Sequence, residues 1–530
     1  MSRTQTGEFG QDKSNHGDGG SILAGGLTRR DLLKWCGAAG LGALAGASWG
    51  EAAKTAPPNI VYVFSDQQRN ASWPGGGDPQ VKTPNLDRLA REGAVFNHCI
   101  STYPLCSPYR ASMLTGRYPQ ATTITFNVPQ AEKIVYEAGA AEQGLPTTEV
   151  TIADVLKTAG YATGYVGKWH LYPGGSKGFL VPPGPHRHGF DYWRVCHNYG
   201  KRYDTRWLDD AGKEHVLPGY APVAQMDQTL EFIEKNASRP FLVVLSWHPP
   251  HSSYEGAPQP FIDLYPPDKI QFRRNVPQQP DMSSVRKDTI GYFSHVSALD
   301  HEIGRLMTKL EEWGIANNTI LVYSSDHGDM LGSHGLWAKR RPYEESTNVP
   351  FIVRWPGHIP AGARVDQLFS TPDIAPTLLG LAGVPAPSRM QGIDLSDALR
   401  GKDAPGPESA FIMARGGLPG SSGDESEDGG GKGASQQAGK KQAEQKQDKN
   451  KQAEKNSVAP KDEGEWRGVR TPRYTYARIQ KDKGATPWVL FDNEKDPFQM
   501  RNLVGDPASA GLLKELDAMV DAWRKRLGES

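Results

Sequence analysis

The sequence predicts an α/β fold: a large domain with a central mixed, mostly parallel sheet flanked by helices, plus a smaller C-terminal domain with a short antiparallel sheet and a helix. Three observations carry this expectation. Asn59-Ile60-Val61-Tyr62-Val63-Phe64, Phe241 to Trp247 and Thr319 to Ser325 are continuous apolar, β-branched and aromatic runs, the composition of strands buried on both faces. Amphipathic helical stretches lie between them, including Thr151 to Ala159 and Thr289 to Trp313. Alternating buried strands and helices build parallel sheets. Late in the chain, Trp466 to Ile479 and Trp488 to Asp492 read as strands of a small antiparallel sheet, and Pro507 to Leu527 as a closing helix.

The segments outside these elements have their own chemistry. Residues 1–54 precede the fold: 1–27 are rich in Gly, Ser and charge, with nothing to pack. Thr28-Arg29-Arg30-Asp31-Leu32-Leu33-Lys34 then leads into a small-residue apolar run from Trp35 to Trp49. A paired arginine followed by a weakly apolar segment is the pattern of a twin-arginine leader, addressed to the twin-arginine translocase; the alternative is a buried helix with a chance Arg pair. The run is too short and too rich in Gly and Ala for a membrane span, and no later run is long enough. The expectation is a periplasmic or secreted protein with no permanent membrane span. The α/β domain would occupy 55–400 and the C-terminal subdomain 401–530, interrupted at about 416–463 by a polar, low-complexity stretch expected to be disordered.

Lys+Arg and Asp+Glu balance at 60 each in 530 residues, so bulk charge gives no reason to expect nucleic acid or an anionic membrane surface as partner. Any anion must be held by a local site. Of the four cysteines, Cys36 falls in the leader, leaving Cys99, Cys106 and Cys196. A Cys99–Cys196 bridge after export and a pair of buried thiols are both compatible with that count.

Each buried strand delivers polar residues at its carboxyl end, where open α/β sheets place their sites. Asp66-Gln67 follows the first, His248-Pro249-Pro250-His251 the second and Asp326-His327-Gly328-Asp329 the third. Carboxylate, amide and imidazole groups suit a divalent cation, although a lone Asp66 would equally serve a turn. Gly328 is expected to allow a sharp turn. Gly167-Lys168-Trp169-His170 follows a further strand, Tyr161 to Val166. In an extended segment Lys168 and His170 would share one face, a cation beside a group that titrates near neutrality. Cys106-Ser107-Pro108-Tyr109-Arg110 opens a helical run through Leu114-Thr115-Gly116-Arg117. A helix start favours negative charge, and Arg110, one turn on, can face the same point. As a bare thiol Cys106 would lack an adjacent base; the alternative is a buried cysteine at a helix start. Trp337-Ala338-Lys339 precedes the run Val349 to Ile352. Tyr103, Tyr109, Trp169, Trp193 and Trp247 are compatible with sugar-stacking platforms and with core positions.

Cys-x-Pro-x-Arg followed by Leu-Thr-Gly-Arg resembles the motif of formylglycine-dependent sulfatases, members of the alkaline-phosphatase superfamily, and the remaining motifs fall in that family's order over nearly the whole mature chain. The resemblance implies that Cys106 is oxidised to formylglycine (3-oxoalanine) by a formylglycine-generating enzyme. It places Asp66, Gln67, Asp326 and His327 around one divalent metal touching residue 106, with Ca2+ first and Mn2+ or Mg2+ as alternatives. It also makes Lys168, His251 and Lys339 substrate-binding residues. The implied reaction is hydrolysis of a sulfate monoester, of a carbohydrate or an aryl alcohol. The hydrated formylglycine, polarised by metal and Arg110, attacks sulfur; Lys168 and Lys339 balance the sulfuryl oxygens; His251 with Lys339 protonates the departing alcohol; His170 helps the second diol oxygen expel sulfate. Two positions depart from the commonest pattern. Gln67 replaces an Asp, and His327 stands where Asn is frequent, which makes the site less anionic and moves its preference toward borderline ions. Similar pairs occur in formylglycine enzymes that cleave phosphonate monoesters and phosphodiesters, the alternative activity. A non-catalytic sulfatase-like binding protein is the second alternative, disfavoured because every catalytic position is filled.

Overall fold

A computed structural model describes residues 56–128, 144–173, 181–196, 200–415, 464–481 and 484–529. The leader at 28–49 and the low-complexity stretch at 416–463 lie outside the described residues. Residues from Ala56 onward form one compact unit.

The central sheet has eight strands. In chain order they are β1 (Asn59–Asp66), β2 (Ala94–Phe96), β4 (Ala162–Gly167), β5 (Tyr192–Val195), β8 (Phe241–Pro250), β9 (Thr319–Ser325), β10 (Phe351–Arg354) and β11 (Ala363–Val365). Their spatial order is β11-β2-β10-β9-β1-β8-β4-β5. From β9 to β5 every pairing is parallel, whereas β10 runs antiparallel to both β9 and β2. The expected mostly parallel, mixed sheet is therefore present. Residues of β1 alternate between two apolar layers: Ile60, Tyr62 and Phe64 face one, Val61 and Val63 the other. That two-sided burial explains why the strand reads as an unbroken apolar run. The helix Ser283–Glu312 supplies Leu299, Ile303, Leu306 and Leu310 to the second layer. Thr151 caps the helix Ile152–Thr158 through a reciprocal bond with Asp154.

Smaller sheets complete the unit. β3 (Cys99–Ile100) pairs with β12 (Phe369–Ser370), and β6 (Tyr203–Leu208) with β7 (Glu214–Tyr220). At the C-terminal end β13 (Ala410–Ala414), β14 (Trp466–Arg470), β15 (Tyr474–Gln480) and β16 (Ala485–Asp492) form an antiparallel sheet. The helix Ala510–Arg526 packs Leu516 and Val520 on it. Residues 416–463 thus connect neighbouring strands β13 and β14. Phe411, Trp466 and Trp488 share a core with Ile100, Tyr103 and Leu105, next to the helix that starts at Cys106. Cys99, Cys106 and Cys196 are buried free thiols. Among the described residues no helix is long and apolar enough to cross a membrane.

Candidate active site

Four neighbouring parallel strands, β9, β1, β8 and β4, end at one place and deliver Asp326-His327, Asp66-Gln67, His251 and Lys168 there. The buried helix Cys106–Thr115 starts at the same point, with Cys106 as its first residue. Cys106 Sγ lies 3.7 Å from Asp66 Oδ1, 3.4 Å from His327 Nε2, 3.6 Å from Lys168 Nζ and 3.8 Å from Lys339 Nζ. Burial together with the Asp66 carboxylate pushes the thiol pKa up, against the pull of both lysines. A protonated, fully buried thiol is a poor nucleophile.

Arg110 binds the floor together. One guanidinium nitrogen donates to the Lys168 carbonyl at 2.7 Å and Ser246 Oγ at 2.6 Å; the other donates to Asp66 Oδ2 at 3.1 Å and Asp326 Oδ2 at 3.0 Å. Lys168 Nζ is also 2.9 Å from Asp66 Oδ2. Burial alone would raise the Asp66 pKa, but Lys168, His251, Arg110 and His327 together hold it well below the usual carboxylate range. Such fully buried charges persist only when paired and hydrogen-bonded, and both conditions are met.

The donor set fits a divalent cation. Ligand atoms of Asp66, Cys106, Asp326 and His327 lie within 4.8 Å of one another. His327 Nδ1 donates to the Gly328 carbonyl at 3.1 Å, which leaves Nε2 with its lone pair 3.5 Å from Asp66 Oδ1 and 3.6 Å from Asp326 Oδ1. Burial keeps the imidazole pKa below its ordinary value, the neutral state a metal requires. Gln67 adjoins this group: its backbone N–H donates to Asp326 Oδ1 at 3.0 Å and its Oε1 accepts from Lys339 at 3.0 Å.

The contacts of His251 are equally defined. His251 Nδ1 donates to the Ser252 carbonyl at 2.7 Å, so its Nε2 accepts from Lys339 Nζ at 2.8 Å. His248 stacks on His251 with centroids 4.6 Å apart and accepts a 2.6 Å bond from Arg202, whose other nitrogen reaches the His251 carbonyl. His248 thus packs directly against His251.

Two expectations need correction. The segment after β4 is not extended: Gly167 has φ 98° and His170 φ 56°, so alternation does not place Lys168 and His170. Lys168 reaches Cys106 directly, while the His170 backbone carbonyl is held by Ser107 Oγ at 2.7 Å. Gly328 is required by crowding and not by a turn, because a Cβ there would meet the Glu345 carbonyl oxygen at 1.9 Å. Of the two readings open for Tyr103, Tyr109, Trp169, Trp193 and Trp247, core positions hold: all are at most 4% exposed. Sequence reasoning also passed over Ser246, Arg202 and Tyr254, and it named Asp329 at the strand end without giving it a role. Asp329 lies three residues after Asp326, and that spacing was its one available signal.

The sequence matches the sulfatase family model over residues 58–384. An ulvan-active sulfatase of Formosa agariphila is 34% identical over 485 residues, covering 89% of this chain and 82% of the relative. An endo-4-O-sulfatase of Bacteroides thetaiotaomicron is 30% identical over 521 residues, covering 88% and 93% respectively. Among solved structures, a Bacteroides thetaiotaomicron protein from work on glycosaminoglycan metabolism superposes with a TM-score of 0.72 at 27% identity, covering 89% of this chain and 97% of its own.

Proposed function

Since the chain belongs to the sulfatase family, a family of sulfuric ester hydrolases, we propose that it hydrolyses sulfate monoesters of a carbohydrate, using residue 106 as formylglycine beside one divalent cation, Ca2+ foremost. The observation that carries this reading is the convergence of Asp66, His327, Lys168 and Lys339 on Cys106 Sγ within 3.4–3.8 Å. When present, the cation and the hydrated aldehyde supply Lewis acidity and an oxygen nucleophile where the thiol has neither. The chain's own residues do the rest. Arg110 fixes the carboxylates of Asp66 and Asp326 and so preorganises the floor. Lys168 and Lys339 flank residue 106 and bind the sulfuryl oxygens of the substrate. His251 and Lys339, 2.8 Å apart, share the proton that goes to the departing alcohol. His170 takes the role its motif implies, accepting the proton released when sulfate leaves.

A relative active on ulvan and a structural neighbour from work on glycosaminoglycan metabolism support a carbohydrate ester as substrate. The paired Arg29-Arg30 supports twin-arginine export to the periplasm or beyond. That route carries folded chains, so a formylglycine-generating enzyme would act on residue 106 in the cytoplasm. The competing activity, cleavage of phosphonate monoesters and phosphodiesters, draws on Gln67 and His327. The test combines mass spectrometry of the peptide containing residue 106, from protein made in its native host, with kcat/KM on an aryl sulfate and on phenyl phosphonate. An aldehyde at 106 and preference for the sulfate are expected. An unmodified cysteine would refute the catalytic proposal, and preference for the phosphonate would replace it with the competing one.

A further inference from the structure

Asp329 is fully buried and accepts four hydrogen bonds. Its Oδ1 takes the backbone N–H of Leu331 at 2.7 Å and of Ala338 at 3.2 Å. Its Oδ2 takes Tyr254 OH at 2.6 Å and Gln67 Nε2 at 2.6 Å. The other end of the Gln67 amide, Oε1, accepts from Lys339 Nζ at 3.0 Å. A carboxylate only accepts and an ammonium only donates. One orientation of the amide therefore satisfies both neighbours, with nitrogen toward Asp329 and oxygen toward Lys339, whose Nζ lies 3.8 Å from Cys106 Sγ in the metal-ligand group. The Gln67 backbone adds no freedom, since Tyr292 OH donates to its carbonyl at 2.7 Å and its N–H is bound to Asp326. The bond to Ala338 N–H also fixes the residue preceding Lys339, in the left-handed region at φ 61°.

We propose that Asp329 is the positioning residue that holds the Gln67 amide oxygen toward the metal position, and that it carries, one bond further out, the negative charge that a carboxylate at residue 67 would supply directly. This inference rests on the proposed metal-dependent function. An asparagine at 329 offers a donor where two donors already point, and it releases Gln67 to flip. A glutamate at 67, the same shape as glutamine, would complement that asparagine, because an amide N–H then faces a carboxylate.

The experiment is a double-mutant cycle on the full-length protein, stripped of metal and titrated with Ca2+ alone and with Mn2+ alone by calorimetry. Asp329→Asn is expected to weaken binding by about 10- to 100-fold, the range seen when a metal ligand loses its supporting partner. Gln67→Glu should raise affinity at least about tenfold more in the Asp329→Asn background than in the wild type, where it would oppose two carboxylates. A purely structural role for Asp329 predicts no such coupling. Equal effects of Gln67→Glu in both backgrounds, or binding by Asp329→Asn within about twofold of wild type, would overturn the proposal. If Asp329→Asn does not fold, the Gln67→Glu/Asp329→Asn protein decides: a folded, metal-binding double variant supports the proposal and an unfolded one overturns it. A wild type that binds neither ion would instead defeat the metal-dependent function, and this inference with it.

Discussion

Replacing His251 with glutamine separates proton delivery from charge balance. In the native arrangement His251 Nε2 sits 2.8 Å from Lys339 Nζ and Nδ1 is tied to the Ser252 carbonyl. A glutamine can present Oε1 to Lys339 and keep that contact, but at neutral pH it cannot pass on a proton. A positioned general acid contributes about 10²- to 10⁴-fold to rate, equivalent to about 2.7–5.4 kcal/mol at 1.36 kcal/mol per decade. That contribution is felt only where the leaving oxygen needs a proton. For a sulfated sugar, whose alkoxide is a poor leaving group, His251→Gln should lower kcat/KM by the full factor. For 4-nitrophenyl sulfate, whose phenolate leaves unassisted, the fall should stay below about tenfold, the part owed to changed charge balance near Lys339. Sulfate released from the sugar ester is followed by ion chromatography, and nitrophenolate by absorbance. Equal losses on both substrates would refute the acid role and leave His251 a binding residue.

Three further outcomes follow from the geometry. Cys106→Ser should release at most one equivalent of alcohol per chain, because a serine oxygen cannot collapse to an aldehyde and expel sulfate; sustained turnover in a rapid-mixing assay would count against the formylglycine reading. Chelation should abolish activity, and His327→Asn, exchanging imidazole for an amide oxygen, should shift the Mn2+-to-Ca2+ ratio of restored activity toward Ca2+ by about tenfold; an unchanged ratio would remove His327 from the ligand set. His295 is buried between Tyr220 OH, 2.8 Å from Nδ1, and the Glu255 carbonyl, 3.2 Å from Nε2, and burial, helped by Arg202, pushes it down to about 3. An unfolded histidine titrates near 6.5, so below that pH the unfolded chain gains a proton that the folded one refuses. Stability should fall as pH drops from about 6.5 toward 3, by up to about 1.4 kcal/mol per unit; His295→Gln should flatten the urea midpoint over this window, and parallel profiles would contradict the assignment.

The strand framework was legible because burial on both faces leaves an unmistakable run, as in Asn59 to Phe64. Cys106, Arg110, Asp66, Asp326 and His327 were legible because each sits at a strand end or helix start, where local sequence fixes position. What sequence could not convey is contact made through space. Arg202 reaches His248 from 46 positions away and Asp329 reaches Gln67 from 262, and neither separation leaves a periodic trace. Backbone shape was hidden for a related reason. Gln67, His170, Ala338 and Arg340 all adopt positive φ, a conformation that costs about 1–3 kcal/mol for such residues and that only the surrounding fold can impose. Reading Lys168 and His170 as an extended pair failed on that account. For the five aromatic residues near the strand ends, sequence left two readings open, and the fold realises the interior one.

The attachment of the site to β9, β1, β8 and β4 bears on how the enzyme wears out. Central parallel strands are drawn from the last parts of a protein to open, whereas sites built on loops are lost by local fluctuation well before the molecule melts. Here the floor of the site is made of strand ends clamped by Arg110, so no partial opening can scatter Asp66 and Asp326 without breaking the middle of the sheet. Heat inactivation and global melting should therefore coincide. A protease that nicks the surface should leave turnover intact, and ageing of the catalyst should show as a shrinking population of fully active molecules in place of a gradual decline in each one.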